Sequence, residues 1–150
     1  MSQPASGTPA GTSPVETPAG TSPVEGIAHR RSPHSAGETV ARLSEAVRAA
    51  GATVFAVIDQ SGEAGRVGLS LRDTKLLIFG SPRAGTPVMA AAPLAALDLP
   101  LKILVWADDS GIVWMTYADP GWLAARHGLT GQLAAPLSAV ARLAGQVAGA

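Results

Sequence analysis

The chain contains no cysteine, only 4% aromatic residues and no surplus of either charge, with 11 Lys and Arg set against 11 Asp and Glu. Without cysteine there is no disulfide framework, no thiolate zinc site and no cysteine nucleophile. Without a basic surplus there is no electrostatic footprint for nucleic acid, because neutralising phosphates needs excess Lys and Arg. Long apolar runs are missing too: Pro93, Asp98, Lys102 and Arg142 break the richest stretches, well short of the ~20 residues that span a bilayer. The first residues, Met1-Ser2-Gln3-Pro4, have neither the basic nor the apolar region of a secretory signal. The expectation is a cytoplasmic protein with no nucleic-acid or membrane partner. What is present is 47% hydrophobic residues in 150, enough for the core of one domain.

Residues 1–34 differ in kind from the rest. Six of the 12 prolines lie there, and Thr8 to Glu16 (TPAGTSPVE) is repeated without change from Thr17 to Glu25. Each copy offers a single Val, so burial cannot offset the entropy of ordering, and a disordered, extended spacer is expected. Thr-Ser-Pro also suits phosphorylation or docking, although composition favours the spacer. His29-Arg30-Arg31 and His34 form a small basic cluster. Residues 26–33 could pair as a short edge strand, where charge discourages unwanted pairing.

From residue 35 to 150 the pattern is that of one α+β domain. Ser35-Ala36-Gly37-Glu38 reads as a capping box, and Val40, Leu43, Val47 and Ala50 recur at helical spacing until Gly51. Thr53–Ile58 (TVFAVI) reads as a strand buried on both faces or nearly so, closed by Asp59. Three glycines between Gly62 and Gly68 allow at most a turn or two of helix. Thr74–Phe79 is the next strand, stopped by Gly80-Ser81-Pro82. Thr86-Pro87 suits an N-cap with proline at the first helical position, and Pro93 breaks the alanine-rich stretch that follows. Leu101–Ala107 and Ile112–Ala118 flank Asp108-Asp109-Ser110-Gly111 as an antiparallel hairpin. Asp119-Pro120 starts a short helix ended by Gly128. A last helix, about 135–148, carries polar residues only on the stripe Ser138, Arg142, Gln146. So thin a stripe demands deep packing on its own sheet or a subunit interface. The hairpin rules out a purely parallel sheet. The expected architecture is a two-layer sandwich, a mostly antiparallel sheet with helices on one face.

The segment from Gly80 to Thr86 is the most suggestive for chemistry. A strand runs into a glycine-containing loop that opens a helix, and free amides there, with Arg83, could hold an anion. Gly80 and Gly85 are spaced like the glycines of a P-loop, yet Thr86 stands where its lysine should be, so nucleotide binding is not expected. The plainer alternative is a tight turn that uses glycine conformations. Asp59 could line the same pocket and serve as an acid or base; a strand-end cap is the simpler role. Asp108 and Asp109 read as turn formers. His127, in the last turn of its helix, suits a dipole interaction. No histidine pair has ligand spacing, so neither a metal nor a cofactor is expected. Ser70 lacks the second glycine of a nucleophile elbow, with Arg72 in its place. Trp106, Trp114, Trp122 and Tyr117 read as core or interface.

Phe79-Gly80-Ser81-Pro82, Gly85-Thr86-Pro87, the run Leu97-Asp98-Leu99-Pro100-Leu101-Lys102-Ile103-Leu104-Val105-Trp106, Ile58-Asp59 and Arg126-His127-Gly128-Leu129 together resemble bacterial domain-of-unknown-function family 302. The likeness covers about Glu38 to Val147. It implies a compact α/β domain paired as a homodimer, with no established activity. Members commonly carry His after the aspartate matched by Asp59, whereas this chain has Gln60, which removes an imidazole for proton transfer or metal binding. Polar contact through Asp59 and Gln60 survives. Three readings follow: a non-catalytic module binding a small anionic or polar ligand through Asp59, Gln60, Gly80, Ser81, Arg83, Gly85 and Thr86; a structural or protein-interaction homodimer using the last helix and the hairpin aromatics as a surface; or a hydrolase or isomerase using Asp59.

Overall fold

A computed structural model describes residues 16–149; the first repeat copy, apart from Glu16, lies outside the described residues. Five strands form one sheet in the order β1-β5-β4-β3-β2, with every neighbouring pair antiparallel. They are β1 (Ile27–Arg31), β2 (Thr53–Asp59), β3 (Thr74–Gly80), β4 (Leu101–Ala107) and β5 (Val113–Ala118). β2 to β5 follow one another as a meander, and β1 closes the far edge beside β5. Five α-helices accompany them: α1 (Ala36–Ala49), α2 (Gln60–Arg66), α3 (Pro82–Ala91), α4 (Pro120–Arg126) and α5 (Ala139–Ala148). This is the expected α+β sandwich.

The core lies between one sheet face and α1 with α5. Alternate strand residues Leu77, Phe79, Ile103, Val105 and Met115 are buried there, facing Leu43 and Val47 of α1 and Val140, Leu143, Ala144 and Val147 of α5. Each such side chain contributes roughly 1.5–3 kcal/mol by leaving water. Ser138, Arg142 and Gln146 remain on the exposed stripe of the last helix. Its apolar face packs on its own sheet, while Trp114, buried beside the hairpin, packs against the ring of His29.

Local signals set most boundaries. Ser35 caps α1 by accepting from the Glu38 amide at 3.2 Å, while the Glu38 carboxylate turns to Arg42 at 3.0 Å instead of completing the box. Gly51 (φ +78) ends the helix. Pro93 opens a separate 3₁₀ turn, Pro93–Leu97. The last helix begins as a 3₁₀ turn, Ala135–Ser138, and becomes α-helical at Ala139.

Three expectations need correcting. The helix after β3 starts five residues before Thr86-Pro87: Ser81 is its N-cap and Pro82 its first residue, so Pro87 lies inside it. Ser81-Pro82 offers the same cap-and-proline chemistry earlier in the chain and captures the start. β2 is not buried on both faces. It is an edge strand, with Phe55, Val57 and Ile58 37–50% exposed. Finally, the second repeat copy is not a free spacer. Pro18 is buried, and the Ala19 amide donates to Asp108 at 3.0 Å. Composition gave each copy too little to bury, but the Asp108 carboxylate beside the hairpin supplies a distant hydrogen-bond partner that composition does not reveal.

Candidate functional site

In an antiparallel meander the end of one strand meets the start of the next. Asp59 closes β2 and Gly80 closes β3, so the two must lie at opposite ends of the pair. The register has Asp59 opposite Lys75 and Thr53 opposite Gly80, which at 3.3 Å per residue separates the two candidate centres by roughly 20 Å. The expected shared pocket is thus divided. Arg83 is exposed and Gln60 begins α2 in solvent; neither lines a cavity with Gly80.

Asp59 caps α2. Its carboxylate accepts from the Gly62 amide at 2.9 Å and the Ser61 hydroxyl at 2.7 Å, and it pairs with Lys75 at 3.1 Å. The Gly62 amide, then Ser61 and Lys75, hold its pKa at about 2. So acidic a group is a poor proton acceptor near neutral pH. The arrangement is that of a cap.

The Gly80 end is concave. A cavity of about 450 Å³ opens between the ends of β3 and β4, the start of α3 and the α5 segment. Gly80, Ser81, Gly85 and Thr86 line it. The amide cradle expected there is largely spent: Pro82 has no N–H, the Ala84 amide donates to Ser81 Oγ at 3.4 Å, and the Gly85 amide to the Ser81 carbonyl at 2.7 Å. The remaining walls are apolar, chiefly Phe55, Phe79, Met89, Leu101 and Leu137. One ionisable residue reaches the lining, Arg142. Sequence reasoning placed Arg142 on a polar stripe but could not see that the stripe overlooks this cavity, 60 residues along the chain.

A second relationship was invisible from spacing. His127 Nε2 meets Asp98 Oδ2 at 2.5 Å, and Arg126 Nε approaches the same oxygen at 3.4 Å. Instead of a dipole contact alone, His127 ties α4 to the turn before β4. A carboxylate-held imidazole can activate a nucleophile, but its ring has no hydroxyl partner among the described residues. Asp98 borders a hollow on the opposite sheet face, with Ile27, Leu76, Leu104 and Trp122. Among the described residues no group of three or more His, Asp or Glu could hold a metal ion, and no helix is long and apolar enough to cross a membrane.

The five-stranded antiparallel sheet with its helical layer defines a small α+β domain. The family model Domain of unknown function DUF302 matches residues 28–145, and the chain belongs to that family. The crystal structure of the uncharacterized conserved protein DUF302 from Bacillus stearothermophilus shares the fold at a TM-score of 0.69 and 16% identity, covering 84% of this chain and 98% of that one. Two curated relatives are 42% identical over 104 residues, 69% of this chain: Fluoride-specific ion channel FluC 1 of Brucella suis biovar 1 and FluC 1 of Brucella abortus biovar 1. The match spans 41% and 38% of those proteins, about two fifths of their length.

Proposed function

We propose that the domain is a non-catalytic binding module for a small organic monoanion, held at the Gly80–Thr86 end of the sheet. The observation that carries this reading is a cavity of about 450 Å³ with apolar walls and Arg142 as the one ionisable lining residue. Concave, mostly apolar sites with a few placed polar groups are where small ligands bind. An aromatic or branched acyl body would fill the space beside Phe79 and Leu137. Its carboxylate would meet Arg142, with the Ser81 and Thr86 hydroxyls as neutral partners.

A panel of aromatic and branched-chain carboxylates, screened by thermal shift and followed by calorimetry, tests the reading. Binding that weakens roughly 10–100-fold in Arg142→Gln, as loss of a charge-assisted hydrogen bond predicts, supports it. No stabilisation by any member, or equal binding by the variant, refutes it.

The Brucella likenesses favour a second reading: that the domain works alongside a fluoride channel as its ligand-sensing appendage. Expressing the chain with such a channel, and measuring fluoride efflux with and without it, would decide the matter. Unchanged efflux under all ligand conditions would remove this reading and leave the first intact.

A further inference from the structure

The turn Pro18–Thr21 docks on the tip of the β4–β5 hairpin, and each of its residues has its own part there. Pro18 is fully buried. The Ala19 amide donates to Asp108 Oδ2 at 3.0 Å, and that carboxylate is itself buried. Gly20 has φ +85, and a Cβ built on it would collide with the carboxylate of Asp109, which is paired with Arg72. Thr21 closes the turn, its amide and hydroxyl donating to the Pro18 carbonyl at 3.1 and 2.8 Å. A four-residue turn with φ above zero at its third residue accepts little besides glycine there. The hairpin tip is thus matched to the sequence Pro-Ala-Gly-Thr.

That tetrapeptide occurs at one other place in the chain, Pro9-Ala10-Gly11-Thr12, inside the identical nine-residue copy that ends at Glu16. Every group that docks is therefore present twice on one chain, and only the link to β1 distinguishes the copies. Residues 22–26 join Thr21 to Ile27, whereas residues 13–26 would join Thr12 to it. The longer loop lowers occupancy about fivefold through chain entropy. That is a small bias against a second ligand tethered to the same site at millimolar effective concentration. Leaving the site costs the second copy no other burial, since apart from Pro18 its residues are half-buried or exposed.

We propose that the hairpin tip is a docking surface for which the two repeat copies compete within one molecule. The second copy holds it most of the time, and the first takes it when the second is withdrawn. The duplication then gives the domain a spare anchor. Losing or blocking one copy leaves the buried Asp108 carboxylate its hydrogen bond from the N-terminal segment, supplied by the Ala10 amide in place of Ala19.

Valine at a glycine of positive φ blocks the turn, so Gly11→Val, Gly20→Val and the double variant test the proposal in the full chain. The readouts are the denaturation midpoint and amide exchange at Ala10 and Ala19. Gly20→Val should lower the folding equilibrium constant about fivefold, the cost of the longer loop, while the Ala10 amide gains protection. Gly11→Val should be nearly silent. The double variant should fall at least about threefold further, as loss of a hydrogen bond to a buried carboxylate predicts, with far-UV circular dichroism still native. Three results would each overturn the proposal. One is Gly20→Val as damaging as the double variant, with Ala10 unprotected. Another is a double variant as stable as the wild type. The third is protection of Ala10 that rises with protein concentration, which would assign the docking to a second molecule.

Discussion

The indole of Trp114 donates to the carboxylate of Asp108 at 2.8 Å, and both residues are buried. Asp108 also accepts from the amides of Ser110, Ile112 and Ala19, so one carboxylate joins the hairpin turn, a strand and the N-terminal segment. Burial pushes the pKa of Asp108 up, but these four hydrogen bonds outweigh it and hold the group at about 2, against an ordinary 3.8. The unfolded chain therefore takes up a proton at higher pH than the folded one. Stability from this residue is complete above about pH 4 and lost as pH falls towards 2. Asp108→Asn should lower the melting temperature at pH 7 and flatten its decline between pH 4 and 2. Melts across that range check it, with Asp59→Asn, whose pKa is lowered in the same direction, as the comparison. An unchanged acid limb in both variants would contradict the assignment.

Removing residues 1–25 should destabilise the domain by about 1–3 kcal/mol, because it strips the Ala19 hydrogen bond from a buried carboxylate and uncovers the site where Pro18 is buried. Chemical denaturation of full-length and truncated chains measures this. A truly passive spacer would leave the midpoint where it was.

Gly26 has φ +79, and a Cβ built there would lie 2.4 Å from the ring of Trp122. Gly26→Ala should cost about 1–3 kcal/mol through backbone strain and displacement of the indole. The melting temperature and the tryptophan emission maximum should both move. Gly37→Ala, where a Cβ meets nothing within 4 Å, serves as the control and should be neutral or slightly stabilising.

The Asp98–His127 pair bridges segments 29 residues apart. Replacing either partner should cost about 1–3 kcal/mol, because the other is left partly buried without its hydrogen bond. A double-mutant cycle with Asp98→Ala and His127→Ala should show coupling, since the two touch. Simple additivity would mean that the contact contributes nothing.

Much of the local structure was legible because its causes are local. Ser35, Asp59 and Asp119 each cap a helix with their own side chain, and the glycine-containing link between β4 and β5 makes the expected hairpin. The α3 start shows the limit: Ser81-Pro82 and Thr86-Pro87 carry the same signal, and the chain uses the first. Trp114 and the apolar face of the last helix read equally well as interface or core until the tertiary fold buries them.

The sequence by itself determined most element types, their order and the β4–β5 hairpin, since capping, periodicity and short links act over a few residues. Only the tertiary structure decided which strand lies at an edge, that Asp59 and Gly80 stand apart, and that Arg142 and Gly80 share a cavity. It also buried Pro18 and tied the Ala19 amide to Asp108. These outcomes depend on strand register and on surfaces contributed by distant parts of the chain, and no local pattern of residues carries that information.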